Sequence, residues 1–271
     1  MLRALTAILA ILTLAWQAPV QAQTAPQGAI IPYTERFVTT HKGVFNGQKI
    51  LYTATIDSTV LKDAAGRSTI NFVSTAYVRH DVKNLSARPV IFVWGGGPSG
   101  SSTGLQMRLL GPRISTTPPV GQEKGFVPTL EDNPQSVLDA ADLVFVDPAE
   151  TGFTRVLAGG KRADFYSVDG DARSIADFIG AWLRANGREA SPRYILGQSY
   201  GSVRAIKVAI ELAKTRPADG IIVQGNSAMT LEANRVGSIV AYAINLPTFA
   251  VEATVHGLVD RAGRTDAQIV D

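Results

Sequence analysis

The chain has 271 residues, 45% of them hydrophobic and 18% charged, which is enough for one large α/β domain or for one domain and part of another. The net charge of +3 comes without a basic run, so we expect no nucleic-acid partner. The sequence has no cysteine, which excludes disulfides, catalytic thiolates and cysteine metal sites. Its three histidines, His41, His80 and His256, lack ligand spacing, so we expect no metal, and nothing in the sequence indicates another cofactor.

Residues 1–22 have the pattern of a secretory signal peptide. A positive start, Met1 to Arg3, precedes an apolar run, Ala4 to Trp16, that is short for a bilayer span. Small residues from Ala18 to Ala22 then offer a cleavage site, and together with Pro19 they argue against the alternative of an uncleaved anchor. We therefore expect a secreted or periplasmic protein that has no membrane contact after cleavage.

Alternating apolar residues predict antiparallel strands in the segment that follows. Arg36 to Val44 and Gln48 to Ile56 flank Asn46-Gly47, which is a hairpin signal because both turn positions tolerate positive φ. A second turn, Lys62 to Arg67, leads into another alternating run, Ile70 to Val78. We predict that these strands form the antiparallel edge of a sheet.

Continuous apolar runs alternate with helical patterns in the next part of the chain. The runs are Val90 to Trp94, Leu143 to Val146, Tyr194 to Leu196 and Ile221 to Val223. Such runs are typical of strands that are buried on both faces. One helix has apolar positions at Ala172, Ile175, Ala176, Ile179, Trp182 and Leu183 and is closed by Asn186-Gly187. We therefore predict a mostly parallel α/β sheet with the antiparallel hairpin at its edge, over a core of residues 23–229.

The sequence pattern of strands is absent from residues 230–271. Their apolar positions, from Leu231 to Val251, favour helical pieces that are interrupted at Pro247. We interpret the segment as the start of a helical cap, and two ordinary packing helices are the alternative.

The stretch from Tyr194 to Lys214 reads strand, Gly-x-Ser-x-Gly, helix, which is the nucleophile elbow of α/β-hydrolases. A serine hydroxyl is a weak nucleophile, and a sharp turn holds it where a base can reach it. Gly197 and Gly201 let strand and helix pass close on either side of Ser199. The backbone N–H of Tyr200 can then face a developing oxyanion. The alternative is an ordinary βα loop that holds a serine.

A second glycine run, Gly95 to Gly97, follows the first buried strand directly. Without side chains, a backbone N–H of this run can point into the site and serve as the second oxyanion donor. The other interpretation is a tight βα loop.

At these residues the sequence resembles the serine carboxypeptidase family. Trp94 to Ser102 is similar to the family's W-x-N-G-G-P-G-x-S-S segment, and Gly197 to Gly201 is similar to its G-E-S-Y-A/G elbow. Asn133 to Ser136, Leu143 to Asp147 and Thr151 to Thr154 together resemble its N-P-x-S…D-x-P-x-G-T-G-F-S segment. The resemblance covers roughly residues 90–205. It implies an acyl-transfer hydrolase of peptide substrates.

The resemblance also implies roles for particular residues. Ser199 would be the nucleophile, and the backbone N–H groups of Gly97 and Tyr200 would form the oxyanion hole. In the family, an Asn before the two glycines and a Glu before the serine help to hold the C-terminal carboxylate of the substrate. Gly95 and Gln198 stand at those positions here.

The candidate substrate-binding residues are thus Gly95, Gly96 and Gln198. The two substitutions leave a proline-type aminopeptidase or an esterase open beside a carboxypeptidase. A further departure is Glu150, which stands where the family has glycine.

A serine nucleophile needs a base and an orienting acid, in the chain order Ser, Asp, His for this fold. After Ser199 the only histidine is His256 and the only aspartate between them is Asp219, which precedes a strand and so belongs at the wrong end of the sheet. Asp260 follows His256 in inverted order.

We therefore expect this chain to be a piece of a longer enzyme whose Asp and His lie beyond Asp271, and residues 1–271 alone to have little or no peptidase activity. A hydrolase-like protein that binds peptides without cutting them is the alternative. The sequence indicates no oligomeric state.

Overall fold

The computed structural model describes residues 35–118, 121–225 and 239–270, and the predicted signal peptide, residues 1–22, lies outside them. The strands are β1 (Phe37–Phe45), β2 (Gln48–Lys62), β3 (Ser68–Arg79), β4 (Val90–Trp94), β5 (Arg113–Ser115), β6 (Leu130–Asp132), β7 (Asp142–Val146), β8 (Arg155–Val156), β9 (Arg193–Gln198) and β10 (Gly220–Gln224). The helices are α1 (Arg162–Tyr166), α2 (Val168–Ala185), α3 (Tyr200–Leu212), α4 (Ile239–Val255) and α5 (Asp266–Val270). Shorter helical turns lie at Leu85–Ala87, Thr103–Leu105, Gln106–Leu110 and Val137–Asp139.

The predicted hairpin is present at the start of the described chain. Asn46 and Gly47 have φ values of 47° and 80°, as the tight turn requires, and Phe45 pairs with Gln48 across it. The second strand runs on to Lys62, further than its alternating pattern indicated, and pairs with β3 through a register shift. These three strands are antiparallel, so the predicted antiparallel edge is confirmed.

Eight strands form one sheet in the order β1-β2-β3-β7-β4-β9-β10, with β8 also paired to β3. Strands β7, β4, β9 and β10 are parallel to one another, and β3 joins them in antiparallel fashion. The chain leaves β4 for β7 on one side and returns to β9 on the other side. Ligand sites of α/β proteins form at such a switch point, outside the carboxyl ends of the strands. The loops that follow β4 and β9 therefore lie next to each other.

Aromatic side chains fill the layer between the sheet and helices α2 and α3. The ring centroid of Phe92 lies 5.5 Å from that of Trp182 and 6.4 Å from that of Phe178, both edge to face. Phe72 approaches Phe178 to 5.3 Å. Pairs of this kind stabilise a core beyond the burial of their area. The helix that places them, α2, follows the predicted apolar positions and ends before Gly187, whose φ is 63°.

Two sequence predictions about the end of the chain are wrong in part. The run Ile221 to Val223 was predicted to be buried, but its three side chains are 41% to 52% exposed. Among the described residues, β10 pairs with β9 alone. The predicted interruption at Pro247 is absent, and α4 continues through it from Ile239 to Val255. Proline removes one helical N–H but its fixed φ is compatible with a helix.

No helix in the described ranges is both long and apolar enough to cross a membrane.

A buried charge cluster joins the sheet to its surroundings at the end opposite the elbow. Asp142 is fully buried and accepts hydrogen bonds from Arg88 Nε at 2.7 Å and from Arg188 Nη1 at 2.5 Å. The backbone N–H of Arg79 also donates to it, at 3.0 Å. One carboxylate therefore ties together the start of β7, the end of β3 and the segments before β4 and β9.

We predict that Asp142→Asn lowers the free energy of unfolding by about 3–5 kcal/mol, because it leaves two buried guanidinium groups without their counter-charge. Urea unfolding of both variants measures this. The matched control is Asp132→Asn, whose partner Arg113 lies 3.5 Å away across an exposed pair, and the expected loss there is below about 1 kcal/mol. Equal losses in the two variants would contradict the role of Asp142.

Candidate active site

Ser199 lies between the last residue of β9 and the first residue of α3, with φ 56° and ψ −127°. A non-glycine residue in this region of backbone space carries strain of about 1–3 kcal/mol, which surrounding contacts must offset. The backbone N–H of Ser199 donates to the carbonyl of Gln224 at 2.8 Å, and its carbonyl accepts from the N–H of Ser202 at 2.8 Å. The predicted strained turn at the carboxyl end of a central strand is therefore present.

The two glycines of the elbow leave no space for side chains. A Cβ on Gly197 would lie 1.8 Å from the carbonyl oxygen of Gly201, and a Cβ on Gly201 would lie 2.6 Å from that of Gly95. Trp94, the last residue of β4, donates from its indole Nε1 to the carbonyl of Gly201 at 3.0 Å. The close passage of strand and helix that the spacing predicted is thus observed, and β4 is bound to the same turn.

The glycine run after β4 packs directly against the elbow. A Cβ on Gly96 would lie 2.6 Å from the carbonyl oxygen of Gln198, 2.7 Å from Cβ of Ser199 and 3.0 Å from the backbone nitrogen of Tyr200. The run then turns back on itself, because the N–H of Gly100 donates to the carbonyl of Gly96 at 2.8 Å. The structure therefore brings the glycine run together with the three elbow residues that the sequence singled out.

Gly97 occupies a backbone conformation that favours glycine, with φ 110°. Its peptide bond to Pro98 is cis. A Cβ here would lie 2.7 Å from the backbone nitrogen of Gly100 and 3.0 Å from that of Ser99, so the turn closes tightly around it.

A carboxylate fixes the loop after β4 to the loop after β7. Asp147 accepts at 2.8 Å from both the backbone N–H and the hydroxyl of Ser102, and at 3.4 Å from the N–H of Phe153. Gly152, with φ 49°, passes so close that a Cβ would meet Asp147 Oδ2 at 1.8 Å. The motif residues Ser102 and Asp147 thus meet in space, which their sequence pattern alone did not indicate.

Arg204 connects the elbow helix with the glycine run. Its side chain is 1% exposed, and Nε donates to Asp171 Oδ2 at 2.7 Å. The two Nη groups donate to the carbonyls of Gly95 and Pro98 at 2.9 and 3.2 Å, on either side of the predicted oxyanion donor. The guanidinium also lies over the ring of Tyr200, 5.3 Å from its centroid.

The sequence analysis did not identify the Arg204–Asp171 ion pair, although the positions of the two residues on their helices indicate it. Arg204 lies one turn before Val208 on the buried face of α3, and Asp171 lies one turn before Ile175 on the buried face of α2. Opposite charges on the apolar faces of two helices favour a buried ion pair, since unpaired buried charge is costly. Burial raises the pKa of Asp171, although the charge of Arg204 acts in the opposite direction. Burial also raises the pKa of the Tyr200 hydroxyl, and the Asp171 charge adds to that.

Glu150 has φ 60°, in the region where glycine is ordinary and other residues are strained. Its side chain holds this conformation, because Oε1 accepts from the N–H of Val156 at 2.7 Å and Oε2 accepts from Arg162 at 3.3 Å. Glycine, which the resemblance implies at this position in the family, adopts such a φ without strain.

A cavity of about 360 Å³ opens beside the elbow. It is lined by Pro98, Ser99, Pro148, Ala149, Glu150, Phe165, Tyr166, Asp171, Tyr200 and Arg204. Aromatic side chains and a few converging polar groups are typical of small-molecule sites.

His41 lies on β1, and His80 directly follows β3. His41 Nε2 is 2.7 Å from the Thr39 hydroxyl, and His80 Nε2 contacts the Thr53 hydroxyl. His256 follows the end of α4 and donates its backbone N–H to a carbonyl of that helix. Within the described part of the chain, no group of three or more His, Asp or Glu side chains is arranged to hold a metal ion.

Asp219 lies at the end of the sheet opposite Ser199. Its Oδ2 accepts the backbone N–H of Arg193, the first residue of β9, at 2.8 Å. Because β9 and β10 are parallel, the residue that precedes β10 lies at the start of β9 and cannot approach the elbow. The sequence analysis predicted this location, because Asp219 directly precedes a strand.

The strand order, the switch point and the strained serine between β9 and α3 define an α/β-hydrolase. The sequence model of the serine carboxypeptidase family matches residues 76–245, and the chain belongs to that family. The human retinoid-inducible serine carboxypeptidase is 31% identical over 141 residues, which cover 51% of this chain and 28% of the human protein. The chain thus spans less than a third of the length of this curated relative.

Two solved structures are similar over part of their length. A prohormone-processing carboxypeptidase from Saccharomyces cerevisiae aligns over 79% of this chain and 49% of its own, with 16% identity and a TM-score of 0.46. A proline iminopeptidase-related protein from Thermus thermophilus aligns over 62% of this chain and 44% of its own, with 17% identity and a TM-score of 0.35.

We predict that Arg204→Met destabilises the protein by about 3–5 kcal/mol at pH 7, since an ionised Asp171 would remain buried without a partner. The pKa of Asp171 is already above its usual range and would rise further in the variant. A carboxyl with a raised folded-state pKa gains stability as the pH falls through that pKa, so the loss should shrink toward about pH 4. Urea unfolding at both pH values measures this difference.

The control for this prediction is Lys207→Met on the exposed side of the same helix, where the pair with Asp169 is open to solvent. We expect only a small change there at either pH. A loss in Arg204→Met that is the same at both pH values would show that the ion pair does not cause it.

Proposed function

We propose that this chain carries the nucleophile and oxyanion hole of a serine-type carboxypeptidase that cleaves peptides through an acyl-enzyme on Ser199. The observation that carries the proposal is the strained turn at Ser199, with φ 56°, packed against the glycine run. Membership of the serine carboxypeptidase family supports the reaction class. We propose this activity for the whole protein. The human relative is considerably longer than the chain described here.

In the first step, Ser199 Oγ attacks the scissile carbonyl carbon and passes its proton to a base. The carbonyl oxygen becomes an oxyanion, which accepts hydrogen bonds from the backbone N–H groups of Tyr200 and Gly97. Tyr200 is the first residue of α3, so the positive end of the helix dipole adds to the stabilisation. Removing one such donor typically lowers kcat by about 10²–10³.

Collapse of the tetrahedral intermediate then expels the amine, which takes the proton from the base and leaves an acyl-enzyme on Ser199. Water repeats the sequence and releases the acid. In this proposal the base and its acid are a histidine and an aspartate outside residues 1–271. The chain covers only 28% of the human relative, which supports the proposal that these two residues lie outside residues 1–271.

For substrate binding we propose Gln198 together with the backbone of Gly95 and Gly96. The amide of Gln198 can donate a hydrogen bond to a C-terminal carboxylate, although more weakly than a charged group could. Gly95 can offer only its backbone, because a Cβ there would lie 2.4 Å from the carbonyl oxygen of Ser101.

The same observation favours a second candidate, a proline-type aminopeptidase or an esterase. The geometry at Gly95 leaves no space for the side chain that would hold a free carboxylate, so recognition of a C-terminus has less support here than acyl transfer itself.

We also propose export of the protein, which rests on the sequence pattern of residues 1–22.

We predict that a fluorophosphonate probe labels the full-length protein and that Ser199→Ala abolishes the labelling. Ser86→Ala is the matched control, because this serine lies in a short turn far along the chain from the elbow and should label as the wild type does. Absence of labelling in a folded full-length protein would contradict the enzymatic proposal and favour a binding protein.

Peptides with free and with amidated C-termini separate the two enzymatic candidates. A carboxypeptidase should release the last residue only from the free form, because the amide removes the carboxylate that positions the substrate. Equal cleavage of both forms, or cleavage from the N-terminus, would favour the second candidate.

A further inference from the structure

A second cavity, of about 850 Å³, lies at the end of the sheet opposite Ser199. It is bordered by the second half of α2, the end of α3 and the end of β2, and Arg193 at the start of β9 forms part of its wall. Six residues of strand separate Arg193 from Ser199, which is about 20 Å at the usual rise per residue. The cavity, here called the arginine cavity, is therefore distinct from the candidate active site.

Arg193 is buried, and no described carboxylate forms a salt bridge with its guanidinium. The carboxylate of Asp219 lies beside it but accepts the backbone N–H of Arg193, at 2.8 Å. Arg193 is 6% exposed, and its Nη2 donates to the backbone carbonyl of Glu189 at 2.9 Å. Its Nε–H is buried and has no acceptor among the described residues. A buried guanidinium with one unpaired N–H and no salt bridge is unfavourable, and an additional anion close to it would lower that cost.

A second guanidinium faces the same space. Arg216 donates from Nη2 to the backbone carbonyls of Ala190 and Ser191, at 3.2 and 3.5 Å, and to no described carboxylate. Burial lowers the pKa of Arg193, and the nearby charge of Arg216 lowers it further, although the charge of Asp219 acts in the opposite direction. Two like charges that repel each other across a cavity are stabilised by an anion bound between them.

The other charged side chains that line the arginine cavity leave its net charge positive. Arg184 and Lys62 add two cations, against the carboxylates of Asp177 and Glu189. In the described ranges neither carboxylate is within 4.0 Å of a basic side chain. Burial raises the pKa of Asp177, although the charges of Arg173 and Arg184 act in the opposite direction. Four cations and two carboxylates therefore border the arginine cavity, and a third carboxylate, that of Asp219, lies beside Arg193.

We propose that the arginine cavity binds a phosphate group, either as the free ion or as the phosphate of a small ester, between Arg193 and Arg216. A guanidinium presents parallel N–H donors that match two oxygens of a phosphate, and both Arg193 and Arg216 border the arginine cavity. The volume lies within the range of ligand cavities, about 300–1,000 Å³, and leaves space for an organic group beside the phosphate.

The test is calorimetric titration of the chain with inorganic phosphate, with phenyl phosphate and with sodium chloride at matched ionic strength. We expect saturable binding of phosphate and none of chloride. Tighter binding of phenyl phosphate would assign the site to an ester, and equal binding would assign it to the free ion. The ¹⁵N–¹H resonances of the Arg193 guanidinium should shift on binding, which locates the anion beside this side chain.

Three variants locate the site. Arg193→Gln and Arg216→Gln should each weaken phosphate binding at least tenfold, and Arg216, which is only half-buried, should be replaceable without loss of the fold. Arg108→Gln, at an exposed arginine after β4, is the matched control and should bind as the wild type does. Ser199→Ala should also bind normally, which separates this proposal from the proposed function.

The proposal is overturned if phosphate has no effect beyond that of chloride at equal ionic strength. It is equally overturned if folded Arg216→Gln retains wild-type affinity, because the anion would then bind elsewhere.

Discussion

The structure depends on the close approach of two backbones, the glycine run after β4 and the elbow after β9. At Gly96 the space for a methyl group is already occupied by Ser199 and by the carbonyl of Gln198. Gly201 meets the carbonyl of Gly95 in the same way from the other side. Since protein interiors are close-packed, an added carbon at either contact would have to move a backbone segment. Side chains are excluded here, which is the condition that the proposed oxyanion hole of backbone N–H groups requires.

The strand order makes this contact possible, and two buried carboxylates maintain it. Because β4 lies between β7 and β9, its loop leaves the sheet beside the elbow. Asp171 holds Arg204, which in turn binds the carbonyls that flank Gly97, and Asp147 holds the loop from its other end through Ser102. An oxyanion hole acts through donors that are already in position before the reaction, so rigidity of this loop is a requirement of the proposed chemistry.

The parts of the fold with local signals could be predicted from the sequence. The Asn46-Gly47 turn, the strand from Val90 to Trp94 and the strained serine at Ser199 each follow from the residues at that place. The Arg204–Asp171 pair could not be read in the same way, because it depends on how two helices face each other. The exposure of β10 likewise depends on what packs against the faces of the strand, which its own residues do not specify, and the continuation of α4 through Pro247 reflects context that outweighs the preference of one residue.

The most direct test of the central contact compares Gly96→Ala with Gly104→Ala, a position after the same strand where a Cβ would meet nothing within 4 Å. The account predicts that Gly96→Ala lowers the free energy of unfolding by about 1–3 kcal/mol, as overpacking does, and slows fluorophosphonate labelling of Ser199 in the full-length protein. Gly104→Ala should leave both quantities near their wild-type values. Wild-type stability and labelling in Gly96→Ala would contradict the account, because the glycine run could then not lie against the elbow.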